Sequence, residues 1–229
     1  MYSLFTMKSM KPFAKDASYL FRKEIGKVLC LDESYYNGCR LSLSNMSSII
    51  SITTSRPELK YLISYIGPWV IDKNLLDITN IAAINFHPGP PEYPGIGCTN
   101  FALYDGVKEF GITVHHMEPA VDSGEIIMVK RFPVADSDTV WTLSQKCYAY
   151  IFAAFCELLP LLKKESDLRD MSNEVWRRKP YTRKELDDLC KLSADDTDEE
   201  VKRTVRATRF PGMPGAYIEK GGYKFEILQ

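Results

Sequence analysis

Apolar residues in this chain fall into short continuous runs separated by stretches with helical spacing. Residues 2–6, Lys27-Val28-Leu29-Cys30-Leu31, residues 61–66, Ile81-Ala82-Ala83-Ile84, residues 111–114 and Ile126-Ile127-Met128-Val129 have the length of strands. Runs apolar at consecutive positions read as strands covered on both faces. Between them, Phe13, Ala14, Ala17, Leu20 and Phe21 recur at helical spacing and predict a helix over 11–25. A short helix is expected over 72–78, and another begins at Asn100. The longest covers 140–164, is apolar nearly all round, and is expected to be largely buried. Residues 32–48 are polar and loop-like, and 48–53 match neither period. Strands separated by helices predict an α/β fold, a doubly wound, mostly parallel, Rossmann-like sheet.

From about 171 the pattern changes. An acidic run (Asp195, Asp196, Asp198, Glu199, Glu200) precedes Val201-Lys202-Arg203-Thr204-Val205-Arg206, and Thr197 with Glu200 three residues on suits a capped helix start. Alternating residues on either side of Gly221-Gly222 signal a β-hairpin. The organisation expected is therefore a main domain over 1–170 and a C-terminal extension over 171–229, a small appendage of helix plus β-hairpin. Lys202, Arg206 and Arg209 share one helix face, which reads as solvated or paired with the acidic run, although a diphosphate could use it.

The chemistry concentrates in three pieces. Asn85 and His87 close the apolar run of residues 81–84, and side chains two apart on a strand point to one face. Pro88, Pro90, Pro91 and Pro94 then stop any ladder or helix, leaving a stiff loop. Such a loop lies where open α/β sheets usually hold their ligands. The second piece is Gly111-Ile112-Thr113-Val114-His115-His116. His115 and His116 alternate across that strand, one facing the core and one a cleft, and are read as structural. The third is Asp122-Ser123-Gly124, a turn ahead of the next strand. An Asn-x-His pair or an Asp-Ser-Gly turn has an ordinary turn reading when alone. Together they set an amide, an imidazole and a carboxylate near one crevice. No H-x-x-x-H or similar spacing supports a metal site.

These residues, with the Tyr93-Pro94-Gly95 loop, resemble the folate-dependent formyltransferases. The resemblance implies an enzyme whose cosubstrate is 10-formyltetrahydrofolate, with Asn85, His87 and Asp122 as its catalytic set and no metal. It also implies cofactor contacts from the segment before the Asn-x-His strand and from the loop before Asp122. Those fall on Trp69, Ile71 and Val121, with Trp69 equally readable as a core anchor.

Composition narrows the partners. Over 229 residues the net charge is −1, the pI is near 6.3, and charged residues make up 26%. No global attraction to nucleic acid or a membrane surface follows. No apolar run reaches transmembrane length, and the start lacks the order of a signal peptide, so a cytoplasmic protein is expected. Six scattered cysteines without a C-x-x-C pair read as reduced thiols, with Cys147 and Cys156 buried and Cys98 a loop residue rather than a nucleophile.

Within the family resembled, tRNA-acting members carry a longer, basic C-terminal domain. Here residues from 171 onward hold twelve Lys/Arg against eleven Asp/Glu. Members that formylate glycinamide ribonucleotide carry a glycine-rich loop after the first strand, whereas Met7-Lys8-Ser9-Met10-Lys11-Pro12-Phe13 contains no glycine. The branch left is the one acting on nucleotide-linked amino sugars, as a homodimer and without nucleic acid or membrane. Glycinamide ribonucleotide or methionyl-tRNA formylation, and hydrolytic deformylation, stand as alternatives. The expected chemistry has Asn85 donating to an oxyanion, His87 accepting the amine proton or sharing the oxyanion as a cation, and Asp122 orienting the imidazole.

Overall fold

The computed structural model describes residues 13–26 and 59–227, together with the backbone of two strands at 2–7 and 28–31. The polar stretch 32–48, the ambiguous 48–53, residues 8–12 of the glycine-free segment, and Cys30 and Cys39 as side chains lie outside it.

Six strands form the main sheet: β1 (Tyr2–Met7), β2 (Val28–Leu31), β3 (Leu59–Tyr65), β4 (Thr79–His87), β5 (Glu109–His116) and β6 (Ile126–Pro133), in the order β2-β1-β3-β4-β5-β6. The ladders β1–β2, β1–β3 and β3–β4 are parallel. Those of β4–β5 and β5–β6 are antiparallel. Only β5 therefore runs against the others among the described strands, and "mostly parallel" resolves into a mixed sheet. Strand sense is set by the connections, which hydrophobic period does not encode. The chain after β4 passes through α3 (Cys98–Asp105) and enters β5 antiparallel to β4.

Alternation along β3 shows how both faces are used. Tyr61, Ile63 and Tyr65 enter the larger core, with Ile84, Phe86, Phe110, Ile112 and Val114 from neighbouring strands. That face is covered by α1 (Ala14–Ile25), α3 and α4 (Val140–Lys163). Phe155 of α4 is fully buried, with its ring centroid 5.8 Å from those of Tyr65 and Phe86 and 6.2 Å from that of Phe21. Such aromatic pairs contribute about 0.5–1.5 kcal/mol each beyond area burial. On the opposite face Leu59 and Leu62 pack with Trp69, Ile71 and Leu75, the last from the short α2 (Lys73–Asp77). Asp72 caps α2 by accepting from the Asn74 amide.

Helix α4 differs from its expected all-round burial. It buries one stripe, including Leu143, Cys147, Ile151, Phe155 and Leu158, and exposes Trp141 and Tyr150. Cys156 lies on the exposed side, so its predicted burial fails, whereas Cys147 is buried. A run apolar in composition can still be amphipathic when aromatic and thiol side chains take the wet face. The helix starts one residue after Thr139, whose hydroxyl accepts from the Thr142 amide in a reciprocal capping box.

The C-terminal extension contains α5 (Arg183–Leu189), β7 (Lys191–Leu192), α6 (Asp198–Thr208), β8 (Tyr217–Lys220) and β9 (Tyr223–Glu226). The Thr197/Glu200 capping box and the hairpin about Gly221-Gly222 form as expected. Helix α5 and strand β7, which pairs parallel to β8, were not legible from the pattern. Helix α6 packs on α3, Ala207 joins the main core, and Asn100 Nδ2 donates to the Ala207 carbonyl at 2.8 Å. On the basic face, Arg206 Nε donates to the Asp138 carbonyl at 3.1 Å, and Lys202 pairs with Glu199 of the acidic run.

Candidate functional site

Strand β4 ends at His87, three residues beyond the apolar run of residues 81–84. Asn85 and His87 therefore lie on the sheet face opposite Ile84 and Phe86, whose side chains enter the core. The β4–β5 register sets His115 directly across from Asn85, and Thr113 across from His87. Residues opposite each other on paired strands share a face. His115 thereby joins the site, a result the sequence reading, which gave it a structural role, did not anticipate. The signal was the His-His alternation, usable only once the pairing register was known.

Asp122 reaches this face from the turn after β5 with φ of 44°. A non-glycine residue in that region is uncommon, although Asp tolerates it better than most. Its Oδ2 lies 3.2 Å from His87 Nδ1 and accepts from the Gly95 amide at 2.7 Å. Its Oδ1 lies 3.3 Å from His115 Nε2 and 3.4 Å from Asn85 Nδ2. Burial would push this carboxyl up. The charge of His87, the bond and charge of His115 and the Gly95 amide outweigh burial and hold it well below the usual carboxylate range. Asp122 is thus a buried anion at neutral pH.

The remaining bonds fix the rings. His87 Nε2 donates to the Tyr93 carbonyl at 2.9 Å. Its two nitrogens therefore face two acceptors, and both are satisfied together only with a proton on each. His115 Nδ1 donates to the His116 carbonyl at 2.7 Å. Its Nε2 lies 3.1 Å from Asn85 Nδ2, from which it accepts when unprotonated; when protonated it donates to Asp122. The opposite orientation of the Asn85 amide would set its carbonyl oxygen against the carboxylate, so the network fixes it.

The Pro-rich loop is tied from both sides. Thr113 Oγ1 donates to the Gly89 carbonyl at 2.8 Å, and Tyr93 donates its hydroxyl to Asp105 at 2.7 Å. Gly95 has φ of 87° and forms a bridge with Tyr181, whose backbone nitrogen a Cβ there would approach to 2.5 Å. Cys98 donates its thiol to the Pro88 carbonyl, and burial pushes that thiol up to about 12, so no thiolate nucleophile is available. Among the described residues no group of three or more His, Cys, Asp or Glu is arranged to hold a metal ion.

A cleft of about 760 Å³ opens beside the cluster, lined by Asn85, His87, His115 and Asp122. Trp69, Ile71 and Val121 line it too, so the structure brings all six sequence-predicted residues to one cavity. Trp69 and Ile71 are 9% and 7% exposed and also belong to the small core, so the anchor reading of Trp69 holds alongside a cleft-wall position. Val121 is 46% exposed and offers an apolar surface to the cavity. Ile66, just past β3, takes φ of 54°, and a β-branched residue there is a strained turn at the cleft wall. A cleft with an apolar wall and convergent polar groups suits a flat heterocycle with hydrogen-bonding edges.

The segment after α4 also reaches the site. The Arg177 amide donates to the Pro91 carbonyl, the Tyr181 amide donates to the Pro94 carbonyl, and the Ile96 amide donates to the Tyr181 carbonyl. Arg131 of β6 clamps Glu92 of the loop through two bonds of 3.1 Å and reaches Glu174 at 3.0 Å. The Tyr181 ring stacks on that of Phe101 at 3.6 Å. This part of the extension thus braces the Pro-rich loop beside the cleft.

The overall structure is similar to that of a sugar N-formyltransferase from a Shewanella species, with a TM-score of 0.75 and 20% identity, covering 99% of this chain and 96% of that one. It is also similar to a 4-N formyltransferase from Francisella tularensis, with a TM-score of 0.71 and 17% identity over the same shares. The N-formyltransferase from Helicobacter canadensis, solved in complex with folinic acid and dTDP-3-aminofucose, gives a TM-score of 0.69 at 16% identity, covering 98% of this chain and 86% of that one. In sequence, the chain is 24% identical over 190 residues to the methionyl-tRNA formyltransferase of Legionella pneumophila, covering 82% of this chain and 59% of that protein. It is 28% identical over 189 residues to that of Latilactobacillus sakei, covering 82% and 57%. It thus spans just under three fifths of the length of these curated relatives. The sequence profile of formyl transferases matches residues 5–157, which include Asn85, His87 and Asp122. A match over that much of its length means that the chain belongs to the formyl transferase family.

Proposed function

We propose that this protein is an N-formyltransferase that moves the formyl group of 10-formyltetrahydrofolate to the amino group of a nucleotide-linked amino sugar. The observation that carries the reading is the convergence of Asn85, His87 and Asp122 on a cleft that Trp69, Ile71 and Val121 also line. The sugar acceptor is favoured by similarity to sugar N-formyltransferases over nearly their whole length, and by the near-neutral charge of residues 171–229. The curated relatives act on methionyl-tRNA, so that acceptor is the second reading. A homodimer and a cytoplasmic location go with the first.

In the reaction the acceptor nitrogen bonds to the formyl carbon, the bond from that carbon to N10 breaks, and the proton lost by the amine ends on N10. Negative charge gathers on the formyl oxygen meanwhile. The residues here meet that charge. His87, with both nitrogens already bonded, supports the cationic role rather than that of a free base. The 3.4 Å bond from Asn85 to Asp122 is long for N–H···O, and that hydrogen is the one an oxyanion would take over. Asp122 keeps the imidazole in place and remains ionised. The apolar wall of Trp69, Ile71 and Val121 would hold the pterin.

The test is a panel of acceptors. With 10-formyltetrahydrofolate supplied, nucleotide-linked 3- and 4-amino sugars are to gain the mass of a formyl group. Gain only by initiator methionyl-tRNA, or tetrahydrofolate release without any acceptor, would overturn the sugar reading.

A further inference from the structure

The family profile ends at residue 157, and one side chain beyond it packs on both imidazoles of the site. Trp176 comes from the segment following α4. Its ring lies 5.0 Å from that of His115 at an interplanar angle of 88°, and 6.0 Å from that of His87 at 70°. Its indole Nε1 donates to the Gly124 carbonyl at 2.8 Å. Gly124 belongs to the turn that carries Asp122, and a Cβ there would strike the His116 carbonyl, so this turn is pressed onto β5. One side chain thus touches both imidazoles and the turn of the carboxylate. It does not line the cleft.

We infer that Trp176 is a positioning residue that fixes the His87 and His115 rings against Asp122 from behind the site. The inference rests on the formyl-transfer reading for its kinetic consequence, but not for its structural one. The hydrogen bonds of each imidazole act at its ring nitrogens and restrain rocking out of the ring plane least. A nearly perpendicular indole adds restraint in that direction, and edge-to-face packing is the geometry aromatic rings prefer. The indole also fills volume that water would otherwise take, and water there would screen the attraction between the imidazoles and Asp122. The indole in turn is held by its own N–H bond and by the anchored chain on either side, where Glu174 meets Arg131 and the Arg177 amide donates to the Pro91 carbonyl. The segment therefore transmits its docking directly to the reacting groups.

The test uses the full chain carrying Trp176→Phe, Trp176→Leu or Trp176→Ala, each checked for folding by circular dichroism and thermal melting. Imidazole 15N shifts report the proton positions of His87 and His115 without any substrate. They are to stay near wild type in Trp176→Phe and to move in Trp176→Leu, which fills space without a ring. In turnover, Trp176→Ala and Trp176→Leu are to lose about 10–100-fold in kcat, the scale of a 1 Å misplacement, with KM for the folate within about twofold, and Trp176→Phe is to recover most of it. Trp176→Leu with wild-type shifts and kcat overturns the inference, as does Trp176→Phe no better than Trp176→Leu. Should Trp176→Ala not fold, the Phe and Leu pair decides. If the wild type transfers no formyl group to any acceptor, the formyl-transfer reading fails and the 15N comparison still decides the role of Trp176.

Discussion

His87 Nδ1 and Asp122 Oδ2 meet at 3.2 Å, both nearly buried, at the point where β4 ends and the turn after β5 returns. The same carboxylate oxygen accepts from the Gly95 amide of the Pro-rich loop. One anion therefore ties together a strand end, a loop and a turn, and its loss is felt by all three.

The depressed carboxyl of Asp122 makes stability depend on acid. A carboxyl held below its ordinary range when folded takes up its proton first in the unfolded chain, so its contribution is complete above that range and is lost as pH falls. Urea denaturation of the wild type from pH 7 to 3 is to show a steeper loss than that of Asp122→Asn. Equal slopes would contradict the assignment of Asp122 as a buried anion.

Gly95→Ala is to damage the protein twice. It places a Cβ against the Tyr181 backbone and forces φ of 87° on a residue that resists it. Strain of this kind costs about 1–3 kcal/mol. A lowered melting temperature together with lost turnover is expected, and an unchanged melting temperature would contradict the close approach.

Much of this site was legible because its parts are local. Asn85 and His87 share a face through the period of a strand, and Asp122-Ser123-Gly124 announces a turn. The Thr197/Glu200 cap and the Gly221-Gly222 hairpin are likewise short-range signals. What escaped depends on pairing between distant segments. His115 becomes a neighbour of Asn85 only through the antiparallel register of β5, and Trp176 reaches the imidazoles only because the chain after α4 folds back. Cys156 was misplaced because an apolar run does not say which side of a helix faces water.

Arg131 secures that returning chain. Arg131→Ala releases Glu92 and leaves Glu174 with Arg177 alone, and the exposed Arg177, Arg178 and Lys179 are to become a trypsin site cut several-fold faster than in the wild type. Unchanged cleavage would show that the backbone bonds to Pro91 and Pro94 suffice alone.

Val121 offers a clean probe of the apolar wall, since it is half exposed and lines the cleft. Val121→Glu is to weaken binding of a non-transferring formylfolate by about tenfold, roughly 1.4 kcal/mol, with little change in melting temperature. Titration calorimetry checks this, and undiminished affinity would move the pterin elsewhere.

The catalytic assignment itself is tested most directly by single-turnover transfer from 10-formyltetrahydrofolate, with Asn85→Ala, His87→Ala and Asp122→Ala compared with wild type. Removing one group that stabilises an oxyanion typically costs about 10²–10³ in rate. Each variant is to fold and to lose at least that much. A near-normal rate from any one of them would contradict the account.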